Sequence, residues 1–191
     1  MYFKGEMPIA AGVAGTLKAR TGQGARGVIL ICGDLCNLGD LALAAQNIAL
    51  ERRRGRAVHV RTWGALPPAV ERQIRDWGAD LFDGRDLGAL LARARQCDLI
   101  FGGGELVRRN MSLRSLISLR LAAAVVRRSG GSIAARGLGV GPVDPVRRGL
   151  WRGIFSGARS IAVRDQRSAA NLEGTVTEQG NVTVAADMAF L

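Results

Sequence analysis

Glycines or charged side chains mark the ends of four predicted strands, at the edge where a parallel sheet places its ligands. These stretches are 33–40, 102–105, 137–142 and 164–168. Glycine lets a ligand approach the backbone closely, and the free N–H groups of a helix N-terminus bind anions. Because the carboxyl ends of parallel strands meet at one edge of a sheet, we expect the four stretches to form one ligand site.

The first stretch joins a predicted buried strand at 28–32 to a helix that we expect to begin near Asp40. The strand is a short apolar run rich in β-branched residues, which is typical of a parallel strand covered on both faces. The glycines of the turn permit close backbone approach, and its Asp and Asn residues suit turn or cap positions. The helix is predicted to bury one apolar face, formed by Leu41, Ala44, Ala45 and Ile48.

The second stretch contains three consecutive glycines directly after another predicted strand. Packing alone rarely requires three bare residues in a row. They could form a tight crossover or could let a ligand reach the backbone, and we favour the second interpretation. After them, Ser112 is expected to cap a long helix at 113–128. The predicted inward face of that helix comprises Leu116, Ile117, Leu121, Ala124 and Val125.

Strands and helices alternate along the rest of the chain. Right-handed crossovers between such strands produce a mostly parallel, doubly wound, Rossmann-like α/β sheet with helices on both faces. Asp144 and Asp165 are predicted to cap two of the helices. We predict strands at 28–32, 57–61, 80–82, 98–101, 132–136, 160–163 and 182–185, and, besides the helix from Asp40, helices at 69–77, 87–95, 113–128, 145–155 and 166–173.

The composition is that of a globular protein with an excess of arginine. The chain has 191 residues, of which 48% are hydrophobic and 23% charged, and its net charge is +11. That length suits one sizeable domain, and no apolar run reaches the roughly 18 residues that a membrane-spanning helix needs. Residues 1–25 lack a signal-peptide pattern and are interpreted as a flexible leader before a domain at 26–191. The charge permits an anionic partner such as a phosphorylated substrate, a membrane surface or nucleic acid.

Several kinds of site find little support in the sequence. Nucleic-acid binding would need basic residues interleaved with aromatic ones, but the chain has a single Tyr and no binding motif. A dinucleotide site would need G-x-G-x-x-G after the first strand and an acidic residue after the second, where Arg61 stands instead. Cys32 and Cys97 fall in predicted strands, which indicates buried thiols in a reducing compartment rather than a metal site. The single histidine, His59, is interpreted as a core or edge residue.

Five short motifs, in order along the chain, resemble those of the polysaccharide pyruvyl transferase family. Each motif alone is weak, and the specificity lies in their order and spacing. The motifs are N-x-G-D at 37–40, D-x-x-x-G-G-G at 98–104 followed by Ser112 and Leu116, G-[IV]-G-P at 139–142, R-D-x-x-S-x-x-x-L at 164–172, and D-x-A-F at 187–190.

The resemblance implies the N-terminal half of a GT-B-like enzyme built of two Rossmann-type domains. Such an enzyme would transfer the enolpyruvyl group of phosphoenolpyruvate to a sugar hydroxyl, forming a pyruvate ketal on an exopolysaccharide, a cell-surface polysaccharide or its lipid-linked precursor. Members of the family continue into a second domain that carries the catalytic histidine, so we expect the chain alone to be inactive. The resemblance implies neither cofactor nor metal. It implies a cytoplasmic bacterial protein, and it allows contact with the inner face of the membrane and a homo-oligomer.

The resemblance also assigns roles to residues of the motifs. Asp40 is the carboxylate predicted to support catalysis, and Asn37 and Ser112 are predicted to help it bind the acceptor sugar. Arg164 is predicted to reach the anionic donor, because a phosphate and a carboxylate require Arg and backbone donors. Turn and cap chemistry could instead explain Asp40 and Ser112, and an ion pair with Asp165 could explain Arg164. The other predicted substrate-binding residues are Gly39, Gly102, Gly103, Gly104, Gly139, Gly141 and Ser168.

Two other functions stay open from the sequence. The same fold and glycine-rich edge fit half of another GT-B glycosyltransferase, which would bind a nucleotide sugar instead of phosphoenolpyruvate. The net charge of +11 and the lack of a matching catalytic histidine fit a non-catalytic domain that binds anions or a partner.

Overall fold

A parallel β-sheet forms the centre of the molecule. The structure, a computed structural model, describes residues 25–173 and 182–185. The strands are β1 (Gly27–Ile31), β2 (Val58–Thr62), β3 (Ala79–Asp83), β4 (Cys97–Phe101), β5 (Gly104–Val107), β6 (Ile133–Val140), β7 (Ser160–Val163) and β8 (Val182–Val184). The helices are α1 (Leu38–Arg53), α2 (Pro68–Asp76), α3 (Leu87–Ala94), α4 (Leu113–Arg128), α5 (Pro145–Phe155) and α6 (Gln166–Leu172). The strands lie in the order β3-β2-β1-β4-β6-β7-β8, with β5 paired to β6, and every pairing between described strands is parallel.

Helices cover both faces of the sheet, which confirms the predicted doubly wound α/β fold. Alternate residues of β1 point to opposite faces: Val28 and Leu30 pack with α1 and α2, whereas Ile29 and Ile31 pack with α3, α4 and α5. Both faces of this central strand are therefore buried, which explains its continuous apolar sequence. None of the described helices is long and apolar enough to cross a membrane.

Side-chain caps fix the beginnings of most helices. The predicted caps Ser112, Asp144 and Asp165 are confirmed, and each accepts a hydrogen bond from the backbone N–H three residues further on. The first helix begins slightly earlier than predicted, because its cap is Asn37 rather than Asp40. Asp40 lies in the first turn of α1, where a carboxylate offsets the helix dipole.

The expectation that two glycine-rich stretches form loops was wrong, because most of their residues lie in strands. The strand β5 begins at Gly104, inside the triple glycine, and β6 continues through most of the next predicted turn as far as Val140. The two strands pair with Gly104 opposite Leu138. Gly137, with a φ of 62°, lies at an irregularity in the pairing of β6 with β7. This glycine therefore marks a bulge within a strand rather than the end of one.

The predicted inward face of α4 was also partly wrong. Ile117 and Leu121 keep 49% and 45% of their accessible surface, and Leu87, predicted to point inward from α3, keeps 41%. Apolar residues occur on more than one side of α4, so the helical period alone did not define which side packs against the sheet. The residues that α4 buries are Leu116, Leu119, Ala122, Ala123 and Val126.

The first helix buries a polar side that the sequence analysis did not predict. Asn47 and Glu51 on α1 are 0% and 1% exposed, whereas the predicted inward residues Leu41 and Ala45 are only partly buried. Asn47 donates from its amide to the carbonyl of Leu43, one turn earlier in the helix, at 2.9 Å. A buried polar group requires such partners, because leaving it unbonded costs free energy.

Three arginines surround the buried carboxylate of Glu51. Arg136 on β6 donates to it at 2.6 Å, and Arg56 and Arg54, from the connection after α1, donate at 3.0 and 2.8 Å. Arg56 also donates to Asp98 on β4 at 2.5 Å. The network thus joins α1 to two strands of the sheet through one carboxylate.

The triple glycine packs directly against α1. An ideal Cβ on Gly102 would lie 3.1 Å from Asn47 Nδ2, and one on Gly103 would lie 2.9 Å from Leu43 Cδ1, and both of these side chains belong to α1. Gly103 and Gly104 also have φ angles of 85° and 74°, which side chains rarely adopt. Close packing and backbone conformation therefore account for bare residues here, as the crossover interpretation requires.

Replacing Gly103 tests the packing against α1. We expect Gly103→Ala to destabilise the fold by about 2 to 4 kcal/mol, because it combines a positive φ with overpacking against Leu43. The matched control is Gly130→Ala, whose φ of 75° is similar but whose Cβ would meet nothing within 4 Å. Chemical denaturation of both variants separates the cost of the positive φ from the cost of overpacking. Equal losses of unfolding free energy in the two variants would show that contact with Leu43 is not the constraint.

Replacing Glu51 tests the buried network. We expect Glu51→Gln to lower the free energy of unfolding by about 3 kcal/mol, because it leaves Arg136 without its counter-charge and removes one of the two carboxylates that Arg56 contacts. The control is Arg54→Gln, which removes the half-exposed arm of the same network and should cost less than about 1 kcal/mol. Urea denaturation is the measurement, and a loss for Glu51→Gln no larger than that of the control would contradict the role assigned to the network.

Candidate functional site

Asp40 occupies a notch between two strand ends at the carboxyl edge of the sheet. Its Oδ2 accepts a hydrogen bond from the backbone N–H of Asp34 at 2.8 Å. A Cβ on Gly33, after β1, or on Gly104, at the start of β5, would overlap the Asp40 carboxylate. Glycine at both positions therefore allows the first turn of α1 to place a carboxylate among the strand ends.

The electrostatic surroundings of Asp40 act in opposite directions. Burial raises the pKa of Asp40 above its ordinary value, and the negative charge of Asp34 raises that pKa further. The N–H of Asp34 and the positive charges of Arg108 and Arg164 oppose the rise. Arg108 directly follows β5 and Arg164 directly follows β7, so both arginines belong to the same edge of the sheet as this carboxylate.

Arg164 directly follows β7 and lies between two carboxylates. Its Nε donates to Asp165 Oδ2 at 3.0 Å, and its Nη2 lies 3.8 Å from Glu105 Oε2. The Arg164 side chain keeps 35% of its accessible surface. The ion pair that the sequence left open is therefore present, and part of the guanidinium still faces solvent.

Two further predicted site residues, Gly139 and Gly141, make room for these charged side chains. A Cβ on Gly139 would lie 2.9 Å from Arg164 Cζ, and one on Gly141 would lie 2.8 Å from Glu105 Oε1. Glu105 also lines a cavity of about 400 Å³ together with Arg108, Arg109, Asn110 and Pro142. The edge thus brings together Asp40, Glu105, Arg108 and Arg164.

The structure places several predicted site residues outside this charged group. Asn37 and Gly39 form the exposed start of α1, where Asn37 Oδ1 accepts from the N–H of Gly39 at 2.9 Å. Ser168 is buried, and its Oγ accepts from the N–H of Val140 at 3.1 Å. Gly102 and Gly103 lie under α1, as described above. These contacts give the residues structural roles that need no ligand.

Ser112 lies in a different and larger cavity, of about 560 Å³. This cavity is also lined by Arg61 and Trp63, from the end of β2, and by Arg85, after β3. Sequence analysis used Arg61 only as evidence against a dinucleotide site, and it did not identify Arg108. The position of Arg61 at the end of a predicted strand could have identified it as a site residue, whereas no motif in the sequence identifies Arg108.

The remaining polar candidates give little sign of chemistry. Cys32 and Cys97 are buried, as predicted, and burial raises the pKa of both thiols. Burial lowers the pKa of the partly buried His59, whose Nδ1 lies 3.4 Å from Asp80. No group of three or more potential metal ligands occurs among residues 25–173 and 182–185.

Comparison with solved structures supports the fold. A glycosyltransferase from Rickettsia africae ESF-5 superimposes with a TM-score of 0.56 at 9% sequence identity, over 86% of this chain and 43% of that one. At that identity the likeness shows the fold alone, and it agrees with a Rossmann-like half of a GT-B-like architecture. The chain spans less than half of that structure. A short-chain dehydrogenase from Streptomyces avermitilis, with 15% identity over 59% of this chain and 50% of that one, gives a TM-score of 0.32, too low to carry an argument.

Comparison at the level of sequence identifies the family. No curated protein matches the chain. The model of the polysaccharide pyruvyl transferase family matches residues 37–191 and so includes all five motifs, of which D-x-A-F at 187–190 lies outside the described residues. Since this match covers most of the sequence and begins at the cap of α1, the chain belongs to the polysaccharide pyruvyl transferase family.

Proposed function

We propose that this chain is the N-terminal domain of a polysaccharide pyruvyl transferase and contributes the edge around Asp40 and Arg164 to its active site. The enzyme would join the three-carbon unit of phosphoenolpyruvate through its C2 to two sugar hydroxyls, with release of phosphate, and so form a pyruvate ketal. The acceptor would be a cell-surface saccharide or its lipid-linked precursor. The observation that carries the proposal is the partly exposed guanidinium of Arg164 beside the partly buried carboxylate of Asp40.

Arg164 is the proposed contact to the anionic donor. Phosphoenolpyruvate carries a phosphate and a carboxylate, both of which suit the planar fork of a guanidinium. Within residues 25–173 and 182–185, only the Nε of Arg164 makes a short hydrogen bond to a carboxylate, because the 3.8 Å from its Nη2 to Glu105 exceeds a hydrogen-bond length. The terminal nitrogens therefore keep donors for a ligand, and Arg108 adds a second positive charge nearby.

Asp40 is the proposed supporting group for proton transfer. Ketal formation requires an acid that protonates the enol carbon and a base that takes the proton of the sugar hydroxyl. A carboxyl group whose pKa is raised by burial holds a proton more readily near neutral pH than an exposed one. In our proposal Asp40 binds and orients the acceptor hydroxyl, while the histidine step falls to the second domain of the family. Binding by this chain, rather than turnover, is therefore the appropriate test.

Replacing Arg164 tests the donor site. We expect Arg164→Gln to weaken the binding of phosphoenolpyruvate about 10- to 100-fold at low ionic strength, because it removes charge-assisted hydrogen bonds. The control is Arg128→Gln, which removes the same charge from the exposed last turn of α4. Titration calorimetry of the purified chain is the measurement, and equal affinities for the two variants would contradict the assignment. A nucleotide sugar that binds where phosphoenolpyruvate does not would favour the glycosyltransferase alternative.

Replacing Asp40 tests the coupling of its charge to the donor site. We expect phosphoenolpyruvate to bind less tightly as pH rises through the raised pKa of Asp40, because the ionised carboxylate then repels the anion. Asp40→Asn should bind more tightly than the unmodified chain above that pKa and equally below it. Calorimetric titrations across this pH range compare the two proteins, so that the ligand's own titration cancels. If the affinities of the two proteins for phosphoenolpyruvate change with pH in the same way, the charge of Asp40 does not act on the donor site.

A further inference from the structure

The cavity of about 560 Å³ is distinct from the edge around Asp40 and Arg164. It lies between the ends of β2 and β3 and the first turns of α4, and it shares no lining residue with the smaller cavity beside Glu105. Its volume is within the range of small-molecule sites in proteins, roughly 300 to 1,000 Å³. Neither the family motifs, apart from Ser112, nor the proposed function uses it.

A buried arginine forms the floor of this cavity. Arg61 is 2% exposed, and its Nη2 donates to the carbonyl of Gly84 at 2.9 Å. Its Nε and Nη1 have no hydrogen-bond partner within the described part of the chain. The guanidinium stacks on Trp63 at 4.0 Å, and a Cβ on Gly84 would overlap it. The fold therefore makes room for this cation and leaves two of its nitrogens unbonded.

Among the residues that the structure describes, no carboxylate forms an ion pair with Arg61. The nearby Asp83 is held by Arg85, which donates to both of its oxygens at 2.8 to 3.1 Å. Burial lowers the pKa of Arg61 to about 10, so the guanidinium is still protonated at neutral pH. A buried charge without hydrogen-bonded compensation is costly, and a bound anion would remove that cost.

Further donors surround the same space. Arg85 and Arg114 line the cavity with Arg61, and no Asp or Glu does. Ser112 and Ser115, at the start of α4, add hydroxyl groups, and the N-terminus of a 16-residue helix favours negative charge. All of these groups attract an anion, and phosphate suits an arginine cluster especially well.

Part of the cavity wall is apolar. Leu87, Ile117 and Leu121 line it, and they are the same residues that remain 41% to 49% exposed although the sequence predicted them to be buried. Large apolar side chains grouped beside arginines suit a ligand that has an anionic end and an apolar end. A free phosphate or a hydrophilic sugar phosphate would leave this wall uncovered.

We propose that the cavity is a second ligand site, which binds a phosphate group attached to an apolar chain. The arginines and the first turn of α4 would hold the phosphate, and the wall of Leu87, Ile117 and Leu121 would hold the chain. Such a ligand could be a soluble alkyl phosphate or the headgroup region of a membrane lipid. The proposal goes beyond the proposed function and does not depend on it.

Titration calorimetry with hexyl phosphate, inorganic phosphate and hexanol tests the proposal on the purified chain. We expect hexyl phosphate to bind about tenfold more tightly than inorganic phosphate, because the chain buries apolar surface, and hexanol not to bind measurably. Equal affinities for the two phosphates would overturn the apolar half of the proposal. Absence of hexyl phosphate binding would overturn it entirely. Binding only to vesicles that contain phosphatidic acid would assign the arginines to a membrane surface instead of a cavity.

Variants locate the binding. Arg61→Gln should weaken hexyl phosphate binding at least tenfold, and because this residue is buried, the double variant Arg85→Gln/Arg114→Gln provides a second test on exposed positions. Leu121→Ser should reduce the preference for hexyl over inorganic phosphate while preserving the affinity for the latter. The control Arg128→Gln, in the exposed last turn of α4, should leave hexyl phosphate binding unchanged. Unchanged affinity in both arginine variants would contradict the proposal.

Discussion

The close approach of α1 to the ends of β1 and β5 determines the geometry of the carboxyl edge. The helix can come this near because Gly33, Gly102, Gly103 and Gly104 present no side chains to it. The result is a carboxylate, Asp40, placed among strand ends instead of in solvent. Its pKa is raised by burial while two arginines limit the rise, so backbone packing and electrostatics are joined at one residue.

The distribution of arginines explains how a chain with a net charge of +11 forms localised sites. Glu51 and Asp98 engage Arg54, Arg56 and Arg136 within the fold, so these cations connect helix and sheet and do not attract ligands. Elsewhere, positive charge collects in two places at the carboxyl edge. One surrounds Arg164 and contains carboxylates, whereas the other surrounds Arg61 and is lined by none. These surroundings differ enough to favour different ligands.

Local sequence signals predicted most of the fold. Caps such as Ser112 and Asp144 fixed helix starts, and the alternation of strands and helices was sufficient for the parallel sheet. Errors arose where one signal has two physical causes. Glycine was interpreted as a loop residue, but Gly104 and Gly139 lie in paired strands, where neighbouring side chains occupy the space that a Cβ would need. Only the three-dimensional neighbours distinguish these causes.

The candidate site was less predictable than the fold. The four strand ends do meet at one edge, but Ser112 belongs to a different cavity from Arg164, and Ser168 is buried under β6. The sequence also did not predict that Ile117 and Leu121 line a cavity, because an apolar residue on an amphipathic helix normally indicates burial. Their exposure beside arginines depends on how far α4 is rotated, which no residue pattern encodes by itself.

The notch around Asp40 has a consequence for how this family can diverge. Positions 33, 40 and 104 share one small volume, so the tolerance of each depends on the side chain at the other two. A shorter residue at position 40 would have to appear before a side chain could be accommodated at position 33 or 104. Substitutions here are thus epistatic: loss of the carboxylate removes the steric constraint on position 33, whereas the φ of 74° still favours glycine at position 104.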